Sequence, residues 1–207
     1  MKSDVVKVTD AGDGTEAALR AASDSARYRG LNKRDSLRLR LLAEEMLGMV
    51  RLITGEAEAE FWAESEGNAF ELHLTARPLV TGKMRRELLK TASSGKNEAA
   101  KGFMGKMRDL FDRALSAEDT GDRFDYYRRG LVIPADPYLT DPTLYATSVN
   151  IWSMAQYKAA VEQEKTAAAK EEWDELERSI VANVADEVKV AIAGDRVEMT
   201  VYKTFNS

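Results

Sequence analysis

Leu41-Leu42-Ala43-Glu44-Glu45-Met46-Leu47-Gly48-Met49-Val50-Arg51-Leu52-Ile53 and Ile180-Val181-Ala182-Asn183-Val184-Ala185-Asp186-Glu187-Val188-Lys189-Val190 are the two stretches whose reading decides the fold. With Leu42 at the centre of an apolar arc, a step of roughly 100° per residue brings Met46, Met49 and Ile53 beside it. Glu45 then falls about 60° from that centre, on the flank of the buried face, and Glu44 falls nearly opposite, beside Arg40 and Arg51. The first stretch is therefore an amphipathic helix whose two glutamates occupy different environments. The second is a last helix that leads into a hairpin. Val188, Val190 and Ile192 alternate inward, Gly194-Asp195 turns, and Val197, Met199 and Val201 return towards Phe205.

Working outward, Val5-Val6-Lys7-Val8 predicts a short strand, and Thr9 to Gly14 a turn-rich loop. Thr15 to Tyr28 carries alanine and leucine at helical spacing and stops at Gly30. Asn32 or Asp35 can cap the next helix, which runs to about Ile53 and ends at Gly55. Ala57 to Glu64 and Ala69 to Leu74 form a hairpin about Glu66-Gly67-Asn68. Phe70, Leu72 and Leu74 alternate with Glu71, His73 and Thr75, which predicts one buried and one wet face. Beyond Gly82, Met84–Lys90 and Ala99–Leu115 read as helices, Ser116 to Pro142 as an irregular loop with aromatic anchors, and Thr143 to about Ala185 as helix broken near Glu171 to Glu175.

Composition sets the outer limits. The 207 residues suffice for one packed domain, and 44% hydrophobic with 31% charged residues is the balance of a soluble globular chain. A net charge of −5 argues against a dedicated nucleic-acid binder. With no cysteine there is no disulfide or thiolate metal site. Neither a signal-type leader nor a run of roughly 18 apolar residues is seen, so a cytoplasmic location without membrane contact is expected.

The glutamate-bearing helix resembles the acidic helix of the GHKL (histidine-kinase-like) ATPases, especially the bacterial anti-sigma-factor serine kinases, and Ile180 to Phe205 resembles their last helix and last two strands. The likeness covers about residues 1–82 and 173–207. It implies a two-layer α/β sandwich with a mixed, mostly antiparallel sheet: one domain over residues 1–207, with a helix-and-loop insertion at 83–172 in place of the nucleotide lid. The family's general base matches Glu45. The asparagine that holds magnesium four residues later matches Met49, whose thioether is a poor ligand for a hard cation, and the alternative register places Gly48 there.

The family's Asp-x-Gly-x-Gly turn, whose aspartate accepts the adenine amino group, aligns with Thr75-Ala76-Arg77-Pro78-Leu79-Val80. Ala76 offers no acceptor there, and Pro78 stiffens the backbone. The literal match Asp10-Ala11-Gly12-Asp13-Gly14 precedes the first helix and reads as a surface turn. Where the second glycine box should wrap phosphates stands Trp173-Asp174-Glu175-Leu176-Glu177-Arg178-Ser179, whose three carboxylates would repel a triphosphate.

The remaining signals are weaker. Ser94-Gly95-Lys96-Asn97 lacks the rest of a phosphate loop, and the lone His73, placed on a polar face, has no second ligand for a metal. Trp152, Met154, Tyr157 and Val161 read as core of the inserted helices. Lys83 to Arg108 is locally basic, and Tyr126-Tyr127-Arg128-Arg129 combines the residue types enriched in binding hot spots, so these four are the candidate partner-binding residues. Two functions follow. One is a regulatory protein that binds a protein partner, with no cofactor and no metal, for which a homodimer stays open. The other is a divergent ATP-binding protein or serine kinase that uses Glu45 as base, with ATP and magnesium.

Overall fold

The structure is a computed structural model that describes residues 1–9, 12–54, 57–78, 131–132, 150–164, 166, 170, 173–174, 177, 179–193 and 196–206. In chain order its elements are β1 (Val6–Thr9), α1 (Thr15–Tyr28), α2 (Lys33–Thr54), β2 (Ala57–Glu66), β3 (Ala69–Pro78), β4 (Leu131–Val132), β5 (Asn150–Ser153), α3 (Met154–Gln163), α4 (Ile180–Val184), β6 (Glu187–Ala193) and β7 (Arg196–Thr204). The strands form one seven-stranded sheet in the order β1-β2-β3-β7-β6-β5-β4. Every ladder among the described residues is antiparallel, where a mixed, mostly antiparallel sheet is expected from the sequence.

Local chemistry fixes the helical hairpin at the N-terminal end. In α1, Ala18, Leu19, Ala22 and Ala26 are buried, one apolar stripe at helical spacing. The helix ends in a Schellman motif. The Gly30 N–H donates to the Arg27 carbonyl at 3.0 Å, the Leu31 N–H donates to the Ala26 carbonyl at 3.0 Å, and Gly30 adopts φ 73°. Asn32 then caps α2: its Oδ1 accepts from the Asp35 N–H at 2.9 Å, while its Nδ2 donates to Asp35 Oδ2 at 2.7 Å. The cap and the residue at the third helical position thus hold each other. The Arg29 guanidinium donates to the Ser65 hydroxyl at 3.0 Å and to its carbonyl, which ties this corner to the end of β2.

The core is one continuous cluster between helices and sheet. Leu39, Leu42, Ala43 and Met46 of α2 meet Phe61, Ala63, Leu72, Leu74, Val188, Val190, Met199 and Val201 of the strands, all at most 1% exposed. Phe70, Leu72, Leu74, Val188, Val190, Val197, Met199 and Val201 are buried as their period of two predicts, and the Ile192 side chain lies outside the described set. Ala69 to Ala76 pairs with Thr204 to Val197, so the N-terminal hairpin is joined to the C-terminal one through β3 and β7.

Several elements differ from the sequence expectation. Asn150–Ser153, expected to be helical, is a strand that pairs with β6, and Leu131–Val132, expected in an irregular loop, pairs with it in turn. Two pieces of the 83–172 segment therefore extend the sheet itself. Trp152 is core, as expected, but on a strand; Met154 and Val161 are buried on α3, and Tyr157 lies 5.9 Å from Trp152 between ring centroids. The last helix ends at Val184, close to the expected Ala185, and starts at Ile180, where the Ser179 hydroxyl accepts from the Ala182 N–H and caps it. The strand β3 runs on to Pro78 instead of stopping near Leu74. The predicted helices at 84–90 and 99–115 lie outside the described residues.

Candidate functional site

The helix α2 presents its two glutamates as the sequence predicts: Glu44 is exposed and Glu45 half-buried, with Leu42, Ala43, Met46 and Leu47 buried beside it. Arg40 does not stay on its own helix. Its Nη2 lies 3.6 Å from Glu16 Oε2 of α1, a pair across the helical hairpin. Gly48 is exposed, and the Met49 side chain lies outside the described set. Since Glu44 sits on the wet face, Glu44→Ala should change stability by no more than about 0.5 kcal/mol. Glu45→Ala should change it by more, in either direction, because a half-buried carboxylate is either well paired or poorly tolerated. Urea unfolding of both variants checks this; equal and negligible effects would show that the flank position of Glu45 carries nothing.

The loop between β1 and α1 confirms a turn. The Gly12 N–H donates to the Thr9 carbonyl at 3.0 Å, and the Thr9 N–H donates to the Asp13 carbonyl at 3.0 Å. Gly14 has φ 80°, and a β-carbon there would stand 1.9 Å from the Lys7 carbonyl oxygen. The glycine is thus a steric requirement of packing the turn on the edge strand. Ala76, at the position of the family's adenine acceptor, is 2% exposed and paired on both sides, with Ala59 and Val197. Before α4, the Ser179 hydroxyl accepts from the Ala182 N–H at 3.3 Å, so the helix start is capped from within. Tyr126, Tyr127, Arg128 and Arg129, as well as Lys96 and Lys101, lie outside the described residues.

One constellation was missed from sequence. His73, expected on a wet face, is 3% exposed. Thr75, Glu198 and Thr200 are buried on the same face, so the centre of the sheet is closed to solvent on both sides. Its neighbours across the ladder pack against the ring. Trp62 is the register partner of His73 on β2, and the two rings stack at 4.8 Å with planes 4° apart. On the other flank, the Thr200 hydroxyl is 3.4 Å from His73 Nδ1. His73 Nε2 lies 3.3 Å from Glu71 Oε2, yet it is buried without a well-formed hydrogen bond. The distance admits an ion pair, but the burial of the ring decides its state.

Burial lowers the imidazole to about 4, against the pull of the Glu64 charge and with help from Lys2. The ring is neutral at neutral pH, so Glu71 faces a dipole and not a cation. The Glu71 carboxyl is itself pushed up by burial and by the Glu64 charge, with Lys189 opposing. Burial also raises the Glu64 carboxyl. The Trp62 indole N–H at 2.9 Å and the Lys2 ammonium at 3.1 Å outweigh it, and the net shift is downward. Lys2 in turn stands 4.7 Å from the Trp62 ring centre. This is a packed polar layer with one aromatic stack, and among the described residues no three acidic or histidine side chains gather as a metal site. The opposed placement of Trp62 and His73 was the one available signal, and it needs the register of the hairpin to be read.

No family model matches the chain, and no curated protein and no solved structure matches it either. The reading of the site therefore rests on its own geometry.

Proposed function

We propose that this chain is a regulatory protein that acts by binding a protein partner, on a scaffold of the GHKL type related to the anti-sigma-factor kinases, without ATP-dependent catalysis. Its place would be the cytoplasm. The observation that carries this reading is Ala76. At the position of the adenine acceptor stands a methyl group buried in the middle of three strands, and β3 continues past it. Neither the side chain nor the paired backbone is free to read a base. The helix start that should hold phosphates supports the same reading: α4 has five residues, and Ser179 already satisfies the Ala182 N–H. Asp174, Glu175 and Glu177 precede it in the chain and would repel a triphosphate. Among the described residues no helix is long and apolar enough to cross a membrane.

The second reading, a divergent ATP-binding protein or kinase with Glu45 as base, is favoured by the half-buried flank position of that carboxylate. Thermal unfolding separates the two. A ligand at a thousandfold its dissociation constant adds about 4 kcal/mol, or roughly 8–16 °C in a chain of this size. No shift is expected with millimolar ATP and magnesium. A saturable rise that Glu45→Gln leaves in place would establish nucleotide binding and overturn the reading.

A further inference from the structure

Taking the partner-binding reading as its base, we propose that the tip of the α1–α2 hairpin is a docking surface for an acidic segment of a partner protein, with Tyr28 and Leu37 as its apolar contacts and Lys33 and Arg34 as its cations. The first observation is a charge imbalance. Residues 20–40 carry seven lysines and arginines against two aspartates, a local charge of +5 in a chain whose total is −5. The remaining residues together are strongly acidic, although Lys83 to Arg108 is a second basic stretch, and residues 20–40 bring their excess to one corner of the fold.

The second observation is which part of that charge the fold leaves unused. Asp24 is engaged by Arg27 at 2.8 Å, and Asp35 by Arg38 at 3.1 Å. Arg40 reaches Glu16, and Arg29 is spent on Ser65. Lys33 and Arg34, both exposed in the first turn of α2, have no carboxylate partner among the described residues. Their position there is also unfavourable on helix grounds, since a helix N-terminus prefers anions. Nothing in the stability of α2 calls for them.

The third observation is apolar. Tyr28 is 70% exposed and Leu37 56% exposed, the highest values among the large hydrophobic side chains of the described residues. They flank the same short connection. Tyr28 is the last residue of α1, and Leu37 lies one turn beyond Lys33 and Arg34 on the same side of α2. The connection itself is rigid, held by the Schellman motif and the Asn32–Asp35 cap, so the four side chains project from a preorganised frame. Large exposed apolar contacts among unpaired cations select a segment that offers both carboxylates and apolar side chains. Such complementarity sets specificity and the rate of encounter. A long polyanion such as nucleic acid meets the cations but leaves Tyr28 and Leu37 without an apolar counterpart, and the chain as a whole carries −5.

The test places a photo-crosslinking residue at Leu37 and, as a control, at the exposed Glu44, in the full chain expressed in the source cell. The crosslinked peptides are then mapped by mass spectrometry. The expected result is an adduct at Leu37 but not at Glu44, on a protein segment of net negative charge. A synthetic peptide of that segment should bind the purified chain, weaken with rising salt, and bind at least tenfold more weakly to Lys33→Glu/Arg34→Glu. Leu37→Ser supplies an independent readout, because both changes are on the surface and unfolding curves should match wild type. Four outcomes would overturn the proposal. If partners crosslink elsewhere and the charge reversal leaves affinity intact, partner binding stands and this surface does not. Were no protein captured from any position on the chain, the partner-binding reading would fall with it. Recovery of nucleic acid at Leu37 would replace the protein segment, and an adduct between two copies, with salt-sensitive sedimentation as a dimer, would make the occupant the chain itself.

Discussion

Gly14→Ala is expected to lower stability by about 3 kcal/mol or more. Two costs combine. At φ 80° an L side chain occupies the left-handed region, and the new β-carbon would meet the Lys7 carbonyl oxygen at 1.9 Å. The opposing atom is backbone of β1, so neither a rotamer change nor a flexible tip can relieve the overlap. Gly30 supplies the control. It has a similar φ of 73° but nothing within 4 Å of its added carbon, so Gly30→Ala should cost only the conformational part, about 1–2 kcal/mol. Urea unfolding of the two variants reads the difference directly. Equal losses would mean that the turn does not press on β1, and that Gly14 is there for its backbone angle alone.

Acidification is expected to remove about 2.5 kcal/mol of stability between pH 7.5 and pH 4.5 through one side chain. The folded-state pKa of His73 is lowered to about 4 from an ordinary value of 6.5, chiefly by burial. Between those values the unfolded chain binds a proton that the folded chain refuses. The His73 contribution is therefore complete above pH 6.5 and is lost as pH falls towards 4. Glu64, whose carboxyl lies below its usual range, loses stability in the same direction at lower pH, and Glu71, whose carboxyl is raised, works against both. His73→Gln removes the titrating ring while keeping a polar side chain, so the variant should lose less stability than wild type over this interval. Since the chain has a single histidine, one imidazole proton resonance follows the site without assignment. A titration midpoint near 6.5 would contradict the burial of the ring.

The local elements were legible because their signals are local. The residue bounds of α1 follow from apolar spacing and the glycine stop, a cap at Asn32 or Asp35 from residue type, and the inward faces of both hairpins from their period of two. The strand Asn150–Ser153 was not legible. It has four residues, no alternation long enough to count, and a helix directly after it, so its state is decided by pairing with Lys189 to Ile192, far along the chain. His73 failed for a related reason. Alternation marks it as outward, correctly, but what lies on the outward side depends on neighbours in β2 and β7. At the candidate sites, the phase of Glu44 and Glu45 could be read because a helix carries its own frame. The exposed tip with Tyr28 and Leu37 could not, since a sequence shows which residues are apolar and not which of them the fold leaves uncovered.

The strand order also sets a timetable for synthesis. The strand β7, the last of the seven to leave the ribosome, sits between β3 and β6 in the finished sheet. After Pro78 has emerged, another 117 residues must be made before Arg196 opens β7, the interval between the two positions. At roughly 5–20 residues per second this takes about 6–23 s. Throughout that time β3 has an open edge, with Phe70, Leu72 and Leu74 on one face and unpaired amides along its side. Such an edge is a template for any other extended chain nearby. Elongation speed, and the chaperones present at the exit tunnel, should therefore govern the yield of this protein more strongly than its final stability does.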